Sequence, residues 1–570
     1  MSFAAIRERI CLRQVDSQIA ERLAADLNVP PVVATILVGR NLSTFDECKQ
    51  FFRPELSQLH DPFLFSQMET AVRRINAAVD SNEKIVVYGD YDVDGVTSTV
   101  LLLRVLRKLG AQCDYYLPNR LTEGYGMSET GIHQIAQSGA TLIISVDCGI
   151  TATYEADLAK KLGIDLIITD HHEPKDVLPV ALAVMDPKVP GCAYPDKNLA
   201  GVGVALKLCQ ALGILTGRGV ELWQDLLDLA ALGSAADIVP LIGENRIIAF
   251  YGFECLEKTT NVGLKALIEE QGLTGKKLST GEVVFQIAPC INAVGRLGDP
   301  RRGVELLLTD DPGVARLYAR ELKEANRERR ALDSNVAEEA GQWVQCNCHP
   351  EKDFGLVVGN ADWHVGVIGI VASKLVEKFH RPAILLSVGE DGMARGSGRS
   401  IPGLHLLDAL NECSSLLNAF GGHAAAAGLS IHKDKIDLFR EKFNEVIKNR
   451  ISSDDLAPRV TADAEVSIAS LTPKLQRIIK QMGPFGPGNM RPVLLCRDLQ
   501  HRYSPRVVGQ KHLKLSLTSQ GVVMDAIAFN FGERFQEVKN SNSLQVAFAL
   551  EENEWNGKVS LQMNIKGMTA

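Results

Sequence analysis

A chain of 570 residues, 46 % of them hydrophobic, can form several cores, so about three or four domains are expected. No apolar run approaches the ~18–20 residues of a membrane helix, and the opening MSFAAIRERICLRQV carries charges where a signal peptide would be uninterruptedly apolar. A net charge of −8 excludes a generally basic nucleic-acid coat, but not local basic patches, because aspartates that hold cations are counted in that total. Residues 1–75 read as helical, with the loop FFRPELSQLHDPFLF near their end. KIVVYGDYDVDG (84–95) follows, an apolar strand ending in Asp90, Asp92 and Asp94, which alternate with Tyr91 and Val93 and stop at Gly95. A spacing of two in an extended segment turns the three carboxylates to one face, where they repel unless a cation sits between them. An EF-hand loop opens similarly but needs a Glu at its twelfth position, where Leu101 stands, and a helix where this apolar strand precedes. TLIISVD (141–147) is a second apolar run closing on an acid, Asp147, and DLIITDHHEP (165–174) is a third, closing on Asp170, His171 and His172. ALAVMD ends on Asp186, read as a turn residue. LAGVGVALKL lacks the third glycine of a dinucleotide fingerprint, so Gly201 and Gly203 read as close helix packing. GSAADIVPL then supplies Asp237 after a small-residue helix. Helical patterns at 97–109 and 152–162 separate these runs, as in βαβ units of a parallel sheet, whose carboxyl edge lines the ligand crevice.

Beyond this core, FQIAPCINAVGRLGDPRRG concentrates Arg296, Arg301 and Arg302 with few acids. Asp311 and Pro312 provide a cap and first turn for a long charged helix, a connector between lobes. VQCNCHPE holds the nearest approach to a metal cluster among the 12 dispersed cysteines, but without a second pair these are reduced thiols, which indicates a reducing, cytoplasmic compartment. A second α/β unit begins near Asp353, with FGLVVGN and RPAILLSV as strands around a helix. In ARGSGRSIPG, Arg395 and Arg399 flank Ser397 among glycines that let backbone N–H groups approach an anion. In AFGGHAAAAG, Gly421, Gly422 and His423 are expected to precede a small-residue helix whose N-terminus favours phosphate. From about 455 the pattern becomes short alternating strands, which suggests an antiparallel barrel of OB type. Around it Arg502, Arg506 and Lys511 interleave with Tyr503 and Phe485, a combination suited to a single strand whose phosphates need charge and whose bases need stacking faces.

GDYDVDG, SVDCG, TDHHEP and ADIVP, in that order and spacing, resemble the four motifs of the DHH phosphoesterase family, and GGHAAAAG resembles the signature of its DHH-associated domain. The likeness runs over essentially the whole length. It implies an α/β fold: a parallel-sheet DHH domain (76–310) after the N-terminal helical segment (1–75), a connector helix (311–349), a second α/β DHH-associated domain (350–452) and a C-terminal OB-like β-barrel (453–570). Asp92, Asp94, Asp147, His171 and Asp237, with Asp90 in the same cluster, match the residues that hold two Mn²⁺ or Mg²⁺ ions. Such a donor set keeps two ions about 4 Å apart, in position to activate water and stabilise a departing 3′-oxygen. By the same resemblance His172 faces substrate phosphate, with Asp170 orienting a neighbouring histidine. His423 from the second lobe approaches the scissile phosphate, and Arg296 can act similarly. Arg120, Ser397 and Arg399 match residues that bind a 5′-phosphate.

The implied activity is 5′-to-3′ hydrolysis of single-stranded DNA to mononucleotides in recombination and repair, in the cytoplasm. A single-strand-binding protein and a helicase are candidate partners. Two other activities fit parts of the sequence: a phosphodiesterase of short oligonucleotides or cyclic dinucleotides, which needs no barrel, and a non-catalytic single-strand-binding scaffold, which would have lost ligands that persist here.

Overall fold

The computed structural model describes residues 7–119, 123–124 and 126–569, and divides into two compact units. One holds residues 49–327 and 482–490; the other holds the stretch ending at Cys48, residues 328–481, and the chain from 491 onward. The chain opens with β1 (Arg9–Leu12), α1 (Ser17–Leu27), α2 (Pro31–Val38) and α3 (Phe45–Phe52). Asp16 caps α1, its carboxylate accepting from the Gln18 and Ile19 N–H groups. β1 pairs in parallel with Arg459–Ala462, Ile10 opposite Val460. The first 75 residues are therefore neither wholly helical nor self-contained, because a four-residue edge strand satisfies its backbone only on a distant partner.

The parallel sheet contains β2 (Lys84–Tyr88), β3 (Gln112–Tyr116), β4 (Leu142–Val146), β5 (Asp165–Thr169) and β6 (Ala183–Met185) in the order β3-β2-β4-β5-β6. Helices α4 (Met68–Asp80), α5 (Val93–Lys108), α6 (Glu129–Gln137), α7 (Thr153–Lys161), α8 (Gly201–Leu215), α9 (Leu227–Ala236), α10 (Gly243–Glu257) and α11 (Val262–Glu270) complete most of this unit. β4 is buried at every position, which is why it reads as an unbroken apolar run rather than an alternating one. α8 is buried from Gly201 through Gly213 and is apolar around most of its circumference. The chain leaves β2 toward β3 and later returns to β4 on the other side, so the strand order reverses between β2 and β4. That reversal opens the crevice in which doubly wound sheets bind ligands. A single turn α12 (Thr280–Glu282) and a π-turn (Val283–Ile287) lead into α13 (Ala288–Leu297) and α14 (Arg301–Leu308). α15 (Pro312–Asn347) is the expected long helix, with Asp311 accepting from the Gly313 and Val314 N–H groups at its start.

In the other unit, β7 (Leu356–Asn360), β8 (Ala383–Val388), β9 (Met393–Arg399), β10 (Ala419–Gly422) and β11 (Ala426–His432) form a mixed sheet in the order β10-β11-β9-β8-β7, with α16 (Val365–Phe379) connecting β7 to β8. Two expectations are corrected here. ARGSGR is strand β9 rather than an anion-cradling loop, laddered with β8 and β11 on either side, Ser397 standing opposite both Leu385 and Gly428. GGHAAAAG is a β-hairpin rather than a helix start: Gly422 pairs with Ala427, and the His423 N–H donates to the Ala426 carbonyl. Runs of alanine favour a helix in isolation, but here they extend a sheet already templated by β9.

β12 (Arg459–Ala462) and β13 (Ala464–Glu465) precede the barrel strands β14 (Leu494–Val508), β15 (His512–Ser519), β16 (Val522–Ala528), β17 (Leu544–Trp555) and β18 (Lys558–Thr569). β14 pairs with both β15 and β17, β16 with both β15 and β18, and β17 with β18, which closes a five-stranded barrel of the expected OB type. HRYSPRVV continues β14 instead of flanking it, with register shifts around Tyr503 that bend the strand. PFGPGNM (484–490), expected beside the barrel, belongs to the unit of the parallel sheet instead. The buried Arg246 guanidinium donates to the carbonyls of Met482 at 3.0 Å, Gly483 at 2.9 Å and Phe51 at 3.0 Å, and the Leu241 N–H donates to the Pro487 carbonyl. Phe485 is therefore not part of the barrel's basic and aromatic face.

Candidate active site and metal centre

The carboxylates of GDYDVDG converge, but not on one extended strand. β2 ends at Tyr88; Asp92 is the N-cap of α5, its Oδ1 accepting from the Asp94 and Gly95 N–H groups, and Asp94 lies in the first helical turn. Gly95 is required there, since a Cβ would come within 2.5–2.7 Å of the Asp90 backbone. The Val93 N–H donates to Asn292 Oδ1 at 3.2 Å, so α13 backs the same loop, and Arg296 lies one turn further along that helix.

The other strand ends meet this loop. Asp147, after β4, adopts a left-handed backbone with φ 59°, and Ile238, directly after Asp237, has φ 63°. A β-branched residue in that region stores strain, and here it ends α9 at the aspartate the site uses. Asp90, Asp92 and Asp147 place ligand atoms within 4.8 Å of one another; so do Asp94, His171 and Asp237, and so do Asp147, His171 and His172. His171 Nε2 lies 3.1 Å from Asp147 Oδ1, 3.6 Å from Asp237 Oδ2 and 3.9 Å from Asp94 Oδ2. That nitrogen and Asp147 Oδ1 are buried without a hydrogen-bond partner among the described residues. The His171 ring instead hydrogen-bonds the Leu199 backbone through its other nitrogen, which leaves Nε2 as a lone-pair donor.

The electrostatics describe a hole for positive charge. Burial, reinforced by the neighbouring acids, pushes Asp94 and Asp147 well above the usual carboxylate range and Asp237 up to about 7. Burial and the adjacent His172 hold the His171 imidazole down to about 3, so it stays neutral. Two neighbouring sets of oxygen and imidazole donors, with buried donor atoms left unsatisfied, fit a pair of hard or borderline divalent cations such as Mg²⁺ or Mn²⁺. His172 behaves oppositely. Burial would lower it, but a 2.7 Å hydrogen bond from Nδ1 to Asp170 Oδ1 raises it to about 9, which keeps a cationic imidazole beside the cluster. Asp170 is itself held by the Ile150, His171 and His172 N–H groups, as expected of an orienting residue.

Several supporting groups escaped sequence reasoning. The Gly201 and Val202 N–H groups, at the start of α8, donate to the two oxygens of Asp94 at 2.7 and 2.8 Å. A Cβ on Gly201 would sit 2.5–2.8 Å from the Asp147 carboxylate, and one on Gly233 2.9 Å from Asp94 Oδ1. LAGVG is thus close packing, as read, but packing against the acids themselves. In the other unit, Arg399 Nη1 donates to Ser397 Oγ at 3.1 Å, and both side chains crowd Gly369 of α16. Gly421, Gly422 and His423 lie exposed at the hairpin, and the Ala425 N–H donates to His423 Nδ1 at 3.3 Å. Arg502, Tyr503, Arg506 and Lys511 are all exposed on the barrel, Tyr503 at 67 %, with the Arg502 guanidinium 5.7 Å from the Tyr503 ring centre. Arg120 lies outside the described residues.

Residues 84–234 match the DHH family, N-terminal domain, residues 353–449 the DHHA1 domain, and residues 462–567 the RecJ OB domain. The single-stranded-DNA-specific exonuclease RecJ of Escherichia coli (strain K12) is 36 % identical, over 98 % of this chain and 99 % of its own. The chain belongs to the RecJ family. RecJ of Bacillus subtilis (strain 168) is 39 % identical over 97 % of this chain and 70 % of its own length. RecJ of Thermus thermophilus in complex with Mn²⁺ superposes with a TM-score of 0.85 at 28 % identity, covering 100 % of this chain and 80 % of that one. Its complex with Mg²⁺ superposes at 0.79. The fold of this family member is therefore a parallel-sheet DHH domain, a DHH-associated domain and a closed OB barrel.

Proposed function

We infer that the chain is a single-stranded-DNA-specific exonuclease that hydrolyses phosphodiesters with two divalent cations, Mn²⁺ or Mg²⁺, and works from the 5′ end. The observation that carries this is the neutral Nε2 of His171 ringed by the carboxylates of Asp94, Asp147 and Asp237, with Asp90 and Asp92 beside Asp147. Ions held there supply the Lewis acidity that activates water and offsets charge on the reacting phosphate.

The protein's own groups do the rest. Asp170 keeps the His172 proton in place near neutral pH, so that imidazolium can donate to a phosphate oxygen as negative charge develops. His423 accepts from a backbone N–H at Nδ1, which puts its ring proton on Nε2, where it too can be given in a hydrogen bond. Arg296, one turn beyond Asn292 on the helix that backs the Asp92 loop, is a further donor for the phosphate that His172 meets. For the 5′ terminus we assign Ser397 and Arg399, whose guanidinium is pre-oriented by the serine hydroxyl, together with Arg120. Gly421, with open space where a Cβ would stand, leaves room for the backbone of the strand, while Gly422 is needed by the hairpin, whose Ala426 carbonyl a Cβ would overlap. Tyr503 with Arg502, Arg506 and Lys511 offers stacking and phosphate charge without a base code, so sequence preference should be slight. Recombination and repair in the cytoplasm, beside a helicase and a single-strand-binding protein, suit an enzyme that needs exposed single strands.

The barrel and the complete donor set speak against a small-substrate phosphodiesterase and against a non-catalytic scaffold. The test offers 5′- and 3′-labelled single strands and matching duplexes to the purified protein with Mn²⁺. Mononucleotides should leave the 5′ end of single strands only, and chelator should stop the reaction. Release from the 3′ label first would overturn the polarity, and cleavage in chelator the role of the ions.

A further inference from the structure

The edge strand of the DHH sheet, β6, ends in a tight turn at Asp186. Asp186 closes β6 and is buried; its Oδ1 accepts from the Lys188 N–H at 2.7 Å, while its Oδ2 is buried without a hydrogen-bond partner among the described residues. Pro187 fixes the backbone between them, and the Val189 N–H donates back to the Asp186 carbonyl. β6 is in register with β5, Met185 opposite Thr169, and the Asp170 N–H donates to the Met185 carbonyl. The turn therefore follows directly on the strand that holds Asp170, the residue before the histidine pair.

It carries one cation. Lys188 Nζ lies 3.1 Å from Glu173 Oε1, and Glu173 is the residue after His172. The lysine is 29 % exposed and the glutamate 80 %. An ion pair with so exposed a carboxylate is weak and easily exchanged. Glu173 follows the histidine pair directly in the chain, and β6 lies in register beside β5, so the ammonium stands at the rim next to those residues. A cation this close to a cluster that binds divalent ions weakens their binding unless an anion arrives with them, and the anion in this reaction is the phosphodiester.

We propose that Lys188 is a substrate-binding residue at the rim of the metal centre, held by Glu173 in the DNA-free protein and transferred to a non-bridging phosphate oxygen when a strand enters. This rests on the cluster being the catalytic centre of a nuclease. A lysine suits the exchange, since its ammonium is a point charge on a flexible stem and needs no fixed fork geometry.

Three variants of the full chain test it: Lys188→Met, Lys188→Arg and Glu173→Gln, each with single-stranded DNA and Mn²⁺ over a series of salt concentrations. Losing one charge-assisted contact should raise KM about tenfold in Lys188→Met and flatten the salt dependence of KM by about one phosphate contact. Lys188→Arg should recover most of this. Glu173→Gln should lower KM about twofold at low salt and lose that advantage at high salt. Mn²⁺ binding to DNA-free Lys188→Met, read by paramagnetic resonance, should be as tight as native or tighter. Native KM and salt slope in Lys188→Met would overturn the proposal, as would full recovery of its activity by excess Mn²⁺. If the native protein itself left single strands intact, the nuclease reading would fall instead, so the two failures are distinguishable.

Discussion

Asp170 and His172 show how one hydrogen bond decides a charge. Burial alone would strip the His172 proton, yet the 2.7 Å contact to Asp170 raises that imidazole to about 9, above its ordinary 6.5. Asp170→Asn removes the anion but keeps the shape. Its alkaline limb in kcat/KM should therefore move from near 9 toward neutral pH, by one unit or more, while circular dichroism stays native; an unmoved limb would show that His172 does not donate. Asp237 works with the opposite sign. Its carboxyl rises from the ordinary 3.8 to about 7 because of burial and then Asp92. In metal-free protein the stability linked to its proton is fully present below the ordinary carboxylate range and is lost as pH rises through about 7. A bound cation takes over that role. The rise in Tm on adding Mn²⁺ should consequently be larger at pH 8 than at pH 6, and an equal rise at both would contradict the assignment.

At the scale of elements, the N-terminus of α8 is as much part of the site as the strand ends. Two N–H groups aimed at the oxygens of Asp94 orient it and favour its ionised form, the usual affinity of helix N-termini for anions. The approach depends on Gly201, where a methyl group would meet the Asp147 carboxylate at 2.5–2.8 Å. Gly201→Ala should lose Mn²⁺ affinity by about tenfold to a hundredfold, as when outer-shell partners of metal ligands are removed, with helix content unchanged. Titration of Mn²⁺ into the variant reads this directly. Native affinity there would mean that the helix start is packing alone.

At the scale of the molecule, the chain crosses between its two units more often than its domain order suggests. Residues 482–490 lie between α-helical and barrel segments of one unit and pack into the other. Arg246, 4 % exposed, is their anchor, with carbonyl partners in Met482, Gly483 and Phe51 and the Phe51 ring 3.9 Å from its guanidinium. Arg246→Met would leave the half-buried Gly483 and Phe51 carbonyls without their guanidinium donor, while Met482 keeps Asn489 Nδ2, at a cost of about 1–3 kcal/mol. A lower first thermal transition and faster proteolysis near Gly483 are expected, measured by calorimetry and limited digestion. Unchanged unfolding would show that the segment is held by Leu241 and Pro487 alone.

The elements most legible in the sequence were those whose patterns are local. Apolar runs ending in acids located β2, β4 and β5, and the order of motifs supplied the family, because chemistry at a strand end needs few residues at set spacing. α15 could be placed from Asp311 and Pro312, since a cap and a first turn are read within four residues. What only the tertiary structure decided was which backbone carries each group. Asp92 and Asp94 proved to belong to a helix start, GGHAAAAG to a hairpin, and Phe485 to the unit that Arg246 holds. For the hairpin and for the segment around Phe485 the deciding partner lies far along the chain, β9 and Arg246 respectively, whereas the helix start at Asp92 rests on its own local cap and α8 only orients the Asp94 carboxylate. Local propensity differs between such alternatives by about 1 kcal/mol per residue or less, and contacts between distant residues outweigh it.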